Sequence, residues 1–280
     1  MNSNYDLSKF EYDMDKCVGC KGCVWVDHIY MPSVRFGIRC PSNIYNPFDA
    51  YAYVGRCKIG LAVLEGRLEF SDTVLDVLYR CNLCGACDVG CKRNLDLEPL
   101  GVLEAWRAKC VAENKGPLPE HKKVAENIRK RGNRFGSPQK DRLKWLPSGA
   151  ESRKADLVYF PGCAASYIDT EIARSTVEIL GMSGQSFVTL GAKDHCCGQP
   201  VAAVGLIEQA KEIAEANIQA LKETGAKKIL TSSAECYKTW KVDYPTLLNK
   251  STRDMEYEVV HLAEFVNDLL EQGKISFSKE

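Results

Sequence analysis

The residues best able to do chemistry are the fourteen cysteines among 280 residues. Their spacing indicates which chemistry. Cys81, Cys84, Cys87 and Cys91 form C-x2-C-x2-C-x3-C, the spacing with which thiolates ligate [4Fe–4S] cubes. Three thiolates spaced by two residues can wrap a short loop around three irons, and the fourth then points away to ligate a neighbouring cluster. Gly85 and Gly90 ease the tight backbone. Cys17, Cys20 and Cys23 repeat the first three positions, with Gly19 and Gly22 between them. Two residues compete to complete that second set. Cys40 is followed by Pro41, the Cys-Pro ending usual at this position, whereas Cys57 sits in GRCKIG without a proline. Cys40 is the preferred ligand. The expected pairing is crossed: Cys17, Cys20, Cys23 and Cys91 hold one cluster, and Cys81, Cys84, Cys87 and Cys40 the other. Structural zinc would take two C-x2-C pairs from separate loops. Three cysteines within seven residues, twice over, suit a cube better.

Four more cysteines lie far apart in the second half: Cys163 in FPGC, Cys196 and Cys197 in HCCGQP, and Cys236 in SSAECYKTW. Each follows an expected strand. In an open parallel sheet, ligands collect beyond the carboxyl ends of the strands, so four thiolates are expected at one rim as a third cluster site. Buried free cysteines are also common core residues, which is the plain alternative. His195 could hydrogen-bond a sulfur or serve the fold alone. Cys110, in AWRAKCVAEN, reads as packing.

The elements that must position these residues are of two kinds. YVGRCKIGLAVLEG reads as a helix, and Ser71 can cap another through Val74, Leu75 and Leu78 that leads into Cys81. Residues 1–115 are therefore expected to form an α-helical, two-cluster ferredoxin-like domain whose folding is coupled to metal. Residues 116–155 are rich in Gly and Pro and read as a linker with one short helix near 119–131. Between 121 and 144 there are nine Lys or Arg against Glu126 and Asp141. Such a run reads first as a solvated surface and second as a docking face for an acidic partner. Residues 156–280 alternate strand and helix, which implies an α/β domain with a mostly parallel sheet. Strands are expected at ADLVYFPG, QSFVTLG, KKILTSS and EVVH. Helices are expected over 167–181, along the stripe Ile207, Ala210, Ala214, Ile218 and Leu221, and along Leu262, Phe265, Val266, Leu269 and Leu270.

The composition narrows the function. Lys plus Arg and Asp plus Glu are both 37, so nothing favours nucleic acid or acidic surfaces in general. No apolar run approaches the roughly 18–20 residues that span a bilayer. The polar N-terminal stretch lacks the regions of a signal peptide. The expectation is a cytoplasmic protein that meets a membrane only through a partner. No G-x-G-x-x-G or G-x4-G-K-[ST] loop is present, so any flavin belongs to a partner.

The N-terminal runs, the segment GNRFGSPQKDRLKWLP and the series FPGC–HCCGQP–SSAECYKTWKVDYP together resemble the family of heterodisulfide reductase D subunits over nearly the whole chain. That family includes the iron–sulfur subunits of glycolate oxidase and of anaerobic glycerol-3-phosphate dehydrogenase. Accessory subunits of a tungsten-dependent benzoyl-CoA reductase complex look similar. The resemblance implies a role in anaerobic metabolism and a partner subunit bearing flavin or a second cysteine-rich domain. In heterodisulfide reductases five thiolates of the cysteine-rich domain hold a noncubane cluster. Mapped here these are Cys163, Cys196, Cys197, position 233 and Cys236. Position 233 is Ser233, which leaves four thiolates, enough for a cubane. Long family members continue into a second cysteine-rich domain after a segment like EVVHLAEFVNDLLEQGKISFSKE, where this sequence stops. The resemblance implies that such a domain is on another chain or on a longer form of this one. The function expected is an electron-relay subunit of an oxidoreductase complex. The rival is a thiol–disulfide reductase whose C-terminal cluster cleaves a disulfide; the missing thiolate at Ser233 argues against it.

Overall fold

The computed structural model describes residues 3–26 and 37–277. These divide into two compact units, one of residues 3–118 with 203–207, the other of 119–202 with 208–277.

The first unit is helical: α1 (Glu11–Asp15), α2 (Pro41–Tyr45), α3 (Tyr53–Leu64), α4 (Asp72–Tyr79), α5 (Ala86–Asn94) and α6 (Pro99–Ala112). Pro41 and Pro99 stand in the first turns of their helices, where a missing N–H costs nothing. Ser71 caps α4 by accepting from the Val74 N–H at 3.3 Å, as the sequence suggests. The core gathers Met14, Cys57, Leu78, Val102, Leu103, Trp106 and Cys110, all buried. Cys110 is packing, as expected. The helices are short, and two buried arginines tie them together. Arg56 of α3 donates to the Val77 carbonyl of α4, to the Tyr51 carbonyl and to the Ser42 hydroxyl, each at 2.8 Å. Arg107 of α6 donates to the carbonyls of Leu78 and Cys81, clamping the chain as it leaves α4.

The second unit begins with α7 (Pro119–Arg131), then β1 (Leu157–Tyr159), α8 (Gly162–Tyr167), α9 (Thr170–Met182), α10 (Gln199–Ala202) and α11 (Ile207–Thr224). There follow β2 (Lys228–Thr231), α12 (Ala234–Lys238), α13 (Tyr244–Leu247), β3 (Glu258–His261) and α14 (Leu262–Glu271). The three strands run parallel in the order β1-β2-β3, with Val158 opposite Ile229 and Ile229 opposite Val259. The sequence expected a fourth strand at QSFVTLG. Only Val188 pairs there, as a single parallel bridge to Val158 on the free side of β1. The Val188 N–H donates to Leu157 O at 2.9 Å, and the Tyr159 N–H donates to Val188 O at 2.8 Å. The helix expected over 167–181 is α9, and a short further helix, α8, precedes it, so Cys163 lies in the first turn of α8 and does not end a strand.

Residues 133–150, read in the sequence as part of a linker, carry Asn133, Arg142 and Trp145 into the interior of this unit. Trp145 packs edge-on against Tyr159 of β1 with ring centroids 5.6 Å apart. The basic run is largely paired: Arg129 and Lys130 with Glu126, Arg134 with Glu235, Lys144 with Asp141. That pairing supports a solvated surface over a docking face. Among the described residues no helix is long and apolar enough to cross a membrane.

Candidate metal centres

The two N-terminal loops have one backbone conformation. In Cys17–Cys23, Gly19 and Lys21 have φ of 72° and 60°; in Cys81–Cys87, Leu83 and Gly85 have φ of 53° and 73°. The left-handed residues therefore fall at the same two places after the first cysteine of each loop. Each loop has a glycine at one of them and a strained side chain at the other. A left-handed non-glycine costs about 1–2 kcal/mol, and strain retained twice in register belongs to a functional turn.

Around the second loop, Cys40, Cys81, Cys84 and Cys87 line one cavity together with Cys23, Arg56 and Leu103. Cys40 precedes α2, and its thiol approaches the Tyr51 carbonyl at 3.7 Å. Burial raises the Cys87 thiol well above its ordinary range. Around the first loop, Cys20 is exposed and Cys23 buried, and burial pushes Cys23 up to about 11. Cys91 interacts with Cys17 and Cys20. Gly90 permits this approach, because a Cβ there would lie 2.2 Å from the Gly22 carbonyl oxygen.

Cys57 does not join the Cys40 cavity. It is wholly buried in α3, contacts the Val54 carbonyl at 3.2 Å and hydrogen-bonds Cys17. That bond pulls the Cys17 thiol down to about 6.

The C-terminal thiols come together and are buried. They form a chain of contacts, Cys163 to Cys196, Cys196 to Cys197, Cys197 to Cys236. The pattern alternates. Cys163 is pulled down to about 7, chiefly by the hydrogen bond from Cys196, and Cys197 is lowered by Cys196 and Cys236. Cys196 and Cys236, the donors, are raised. The backbone of the pair is held firmly. The Cys196 N–H donates to Gly132 O at 2.6 Å, Asn217 Nδ2 donates to Cys196 O at 3.0 Å, and the Tyr244 hydroxyl donates to Cys197 O at 2.8 Å. Gly198 turns the chain at φ 89° immediately afterwards.

Beside the pair lies a buried ion pair, Arg142 Nη2 to Asp194 Oδ1 at 2.8 Å, and the same nitrogen donates to His195 O at 2.9 Å. His195 is exposed, with Nδ1 on the Lys193 carbonyl at 2.7 Å; its contacts are structural. Ser233 caps α12, its hydroxyl accepting from the Cys236 N–H at 3.3 Å. Sequence reasoning missed Arg56, Arg107, Arg142, Asn217 and Tyr244. Tyr244 and Arg142 had a signal, their places in the quoted KVDYP and GNRFGSPQKDRLKWLP segments.

Among the described residues no group of three or more His, Cys, Asp or Glu side chains could hold a single metal ion. The donors fit a larger thiolate-bound group. Around the second loop they line a cavity, and at the C-terminal site they are four soft sulfur ligands gathered from three places in the chain.

Residues 157–241 match the family described as the cysteine-rich domain. The D subunit of dihydromethanophenazine:CoB–CoM heterodisulfide reductase from Methanosarcina mazei is 33% identical over 280 residues, covering 95% of this chain and 66% of that protein. The chain therefore spans just under two thirds of the length of such relatives. EtfAB:quinone oxidoreductase of Syntrophomonas wolfei is 24% identical over 229 residues, covering 77% of this chain and 31% of that protein. The C subunit of anaerobic glycerol-3-phosphate dehydrogenase from Escherichia coli is 24% identical over 137 residues, 47% of this chain and 34% of its own. No solved structure matches the chain at a significant level. With its paired loops, its Cys-Cys-Gly turn and identity along nearly its whole length, the chain belongs to the family of cysteine-rich iron–sulfur proteins typified by the heterodisulfide reductase D subunits.

Proposed function

We propose that this chain is an electron-transfer subunit of a heterodisulfide reductase-like oxidoreductase complex, in which residues 1–115 form a two-cluster ferredoxin-type domain. Cys17, Cys20, Cys23 and Cys91 hold one [4Fe–4S] cluster, and Cys40, Cys81, Cys84 and Cys87 hold a second. Cys163, Cys196, Cys197 and Cys236 hold a third. Bound there, such clusters supply one-electron acceptor and donor chemistry over a wide range of potential. The observation that carries the reading is that Cys40 lines the same cavity as Cys81, Cys84 and Cys87, together with Cys23, while Cys91 is within electrostatic range of Cys17 and Cys20. Both support a crossed pairing.

The chain's own residues divide the work. The left-handed turns let the three thiols of each loop converge on one centre, and Leu83, Leu100 and Leu103 give the second cavity an apolar lining. Exposed Cys20 and Cys84 bring each centre near the surface, where a partner subunit can exchange electrons. In the second unit Asn217, Tyr244 and Gly132 fix the Cys-Cys pair. Ser233 is engaged in capping α12, which supports four thiolate ligands there and a relay over disulfide cleavage. Partners are expected to carry the flavin or a second cysteine-rich domain.

Reversible reduction is the test. Chain prepared without oxygen is expected to bleach in the visible on stoichiometric addition of dithionite and to recover on reoxidation, one electron per cluster. A colourless chain, or one that takes up no electrons, contradicts the reading.

A further inference from the structure

We propose that Arg56 is the buried counter-charge of the Cys40, Cys81, Cys84 and Cys87 centre, holding it at a higher potential than the Cys17, Cys20, Cys23 and Cys91 centre and so making it the one that is reduced first. This rests on the reading above that both centres form.

Arg56 is 1% exposed and lines the cavity that those four thiols share with a single thiol of the first loop, Cys23. Its three bonded donors reach two backbone carbonyls and a serine hydroxyl. None of these carries charge, and among the described residues Arg56 enters no ion pair with a carboxylate. A guanidinium cannot shed its proton to escape burial, and an isolated buried charge is costly. The negative charge available to it is that of the thiolates lining its own cavity. Arg107, 4% exposed, adds a second buried cation by donating to the carbonyl of Cys81 itself.

Among the described residues the cations near the first loop are less buried. Arg39, half-buried, donates to the Gly22 carbonyl at 3.1 Å. The cation acting on Cys17 is Lys58. It is exposed, its ammonium is held by the Met14 and Asp15 carbonyls at 2.9 Å each, and water screens it. Reduction adds one negative charge to a centre. A cation fixed in a dry, weakly screening interior stabilises that added charge far more than a cation in solvent does. The fold therefore makes the two similar loops electrically unequal.

The test is a redox titration of the full chain followed by electron paramagnetic resonance, with iron content measured on every sample. The signal lost in Cys40→Ala identifies the second centre. In the wild type this centre is expected to titrate above the first. Arg56→Gln is expected to lower its reduction equilibrium at least tenfold, a fall of about 59 mV for a one-electron couple, and to move the first centre, which shares only Cys23 with that cavity, less. Arg56→Lys, which keeps the charge, is expected to retain most of the wild-type potential. Unmoved potentials in Arg56→Gln at full iron content overturn the proposal. If Arg56→Gln loses the centre altogether, Arg56→Lys decides: a retained potential supports the proposal, and a fall there overturns it. A wild-type chain without a second centre would be recognised by its iron content before any variant is made, and that result defeats the underlying reading itself.

Discussion

Cys40 and Cys57 compete on similar terms in the sequence and on unequal terms in the fold. The Cys40 thiol lines a cavity with three cysteines of the second loop, whereas Cys57 is enclosed in α3 against Cys17. Cys40→Ala is therefore expected to remove about four irons per chain, one cube, and Cys57→Ala to remove none. Iron analysis of both variants, prepared side by side without oxygen, distinguishes them; the reverse result would exchange their roles. A second prediction concerns charge. Glu264 closes a capping box on α14, accepting from the His261 N–H at 2.8 Å, and its carboxyl is held below the ordinary range, first by that backbone bond and then by the Tyr237 hydroxyl. A depressed folded value means that the stabilisation is fully present above the unfolded value of about 4.3 and is lost as pH falls through the folded one. The stability gap between wild type and Glu264→Ala is expected to be widest near neutrality and to close in acid. Denaturant midpoints measured across that range would show it, and a gap that is constant with pH would refute it.

At the scale of elements, α5 and the first loop must touch for Cys91 to reach the first centre, and Gly90 is what lets them. Gly90→Ala places a methyl group within 2.2 Å of the Gly22 carbonyl oxygen, so it is expected to lose the Cys17 centre while keeping the one at Cys40; intact signals from both would show that the contact is dispensable. In the second unit, Arg142→Met leaves Asp194 buried without its cation. Breaking such a pair costs about 3–5 kcal/mol, and Arg142→Met/Asp194→Leu is expected to recover much of that loss in denaturant unfolding. In the first unit α3 and α4 were legible because capping at Ser71 and apolar spacing are local signals, whereas the short α1, α2 and α5 were not. The parallel sheet was legible from β1, β2 and β3. The strand expected at QSFVTLG shrank to the Val188 bridge, because pairing length depends on a neighbour's register, which periodicity does not encode. The thiols could be read from their spacing. Arg56 and Arg142 could not, since a buried arginine and a solvated one are the same letter, and Arg142 lay inside a run that otherwise reads, and folds, as a charged surface.

At the scale of the whole chain, the proposed function needs three sets of four thiol ligands, two on the paired loops and one at the Cys-Cys-Gly turn. Ser233 stands where a further thiol would, capping α12 and hydrogen-bonding Cys236, which favours a relay over disulfide cleavage. Assayed alone with a reductant and disulfide substrates, the protein is expected to show little turnover; brisk reduction would favour the rival activity. The account stands most directly on the metal itself. Iron and acid-labile sulfide, measured on full-length chain purified without oxygen, are expected near twelve of each, three cubes. About eight would remove the C-terminal centre, and iron-free or zinc-loaded protein would contradict the account.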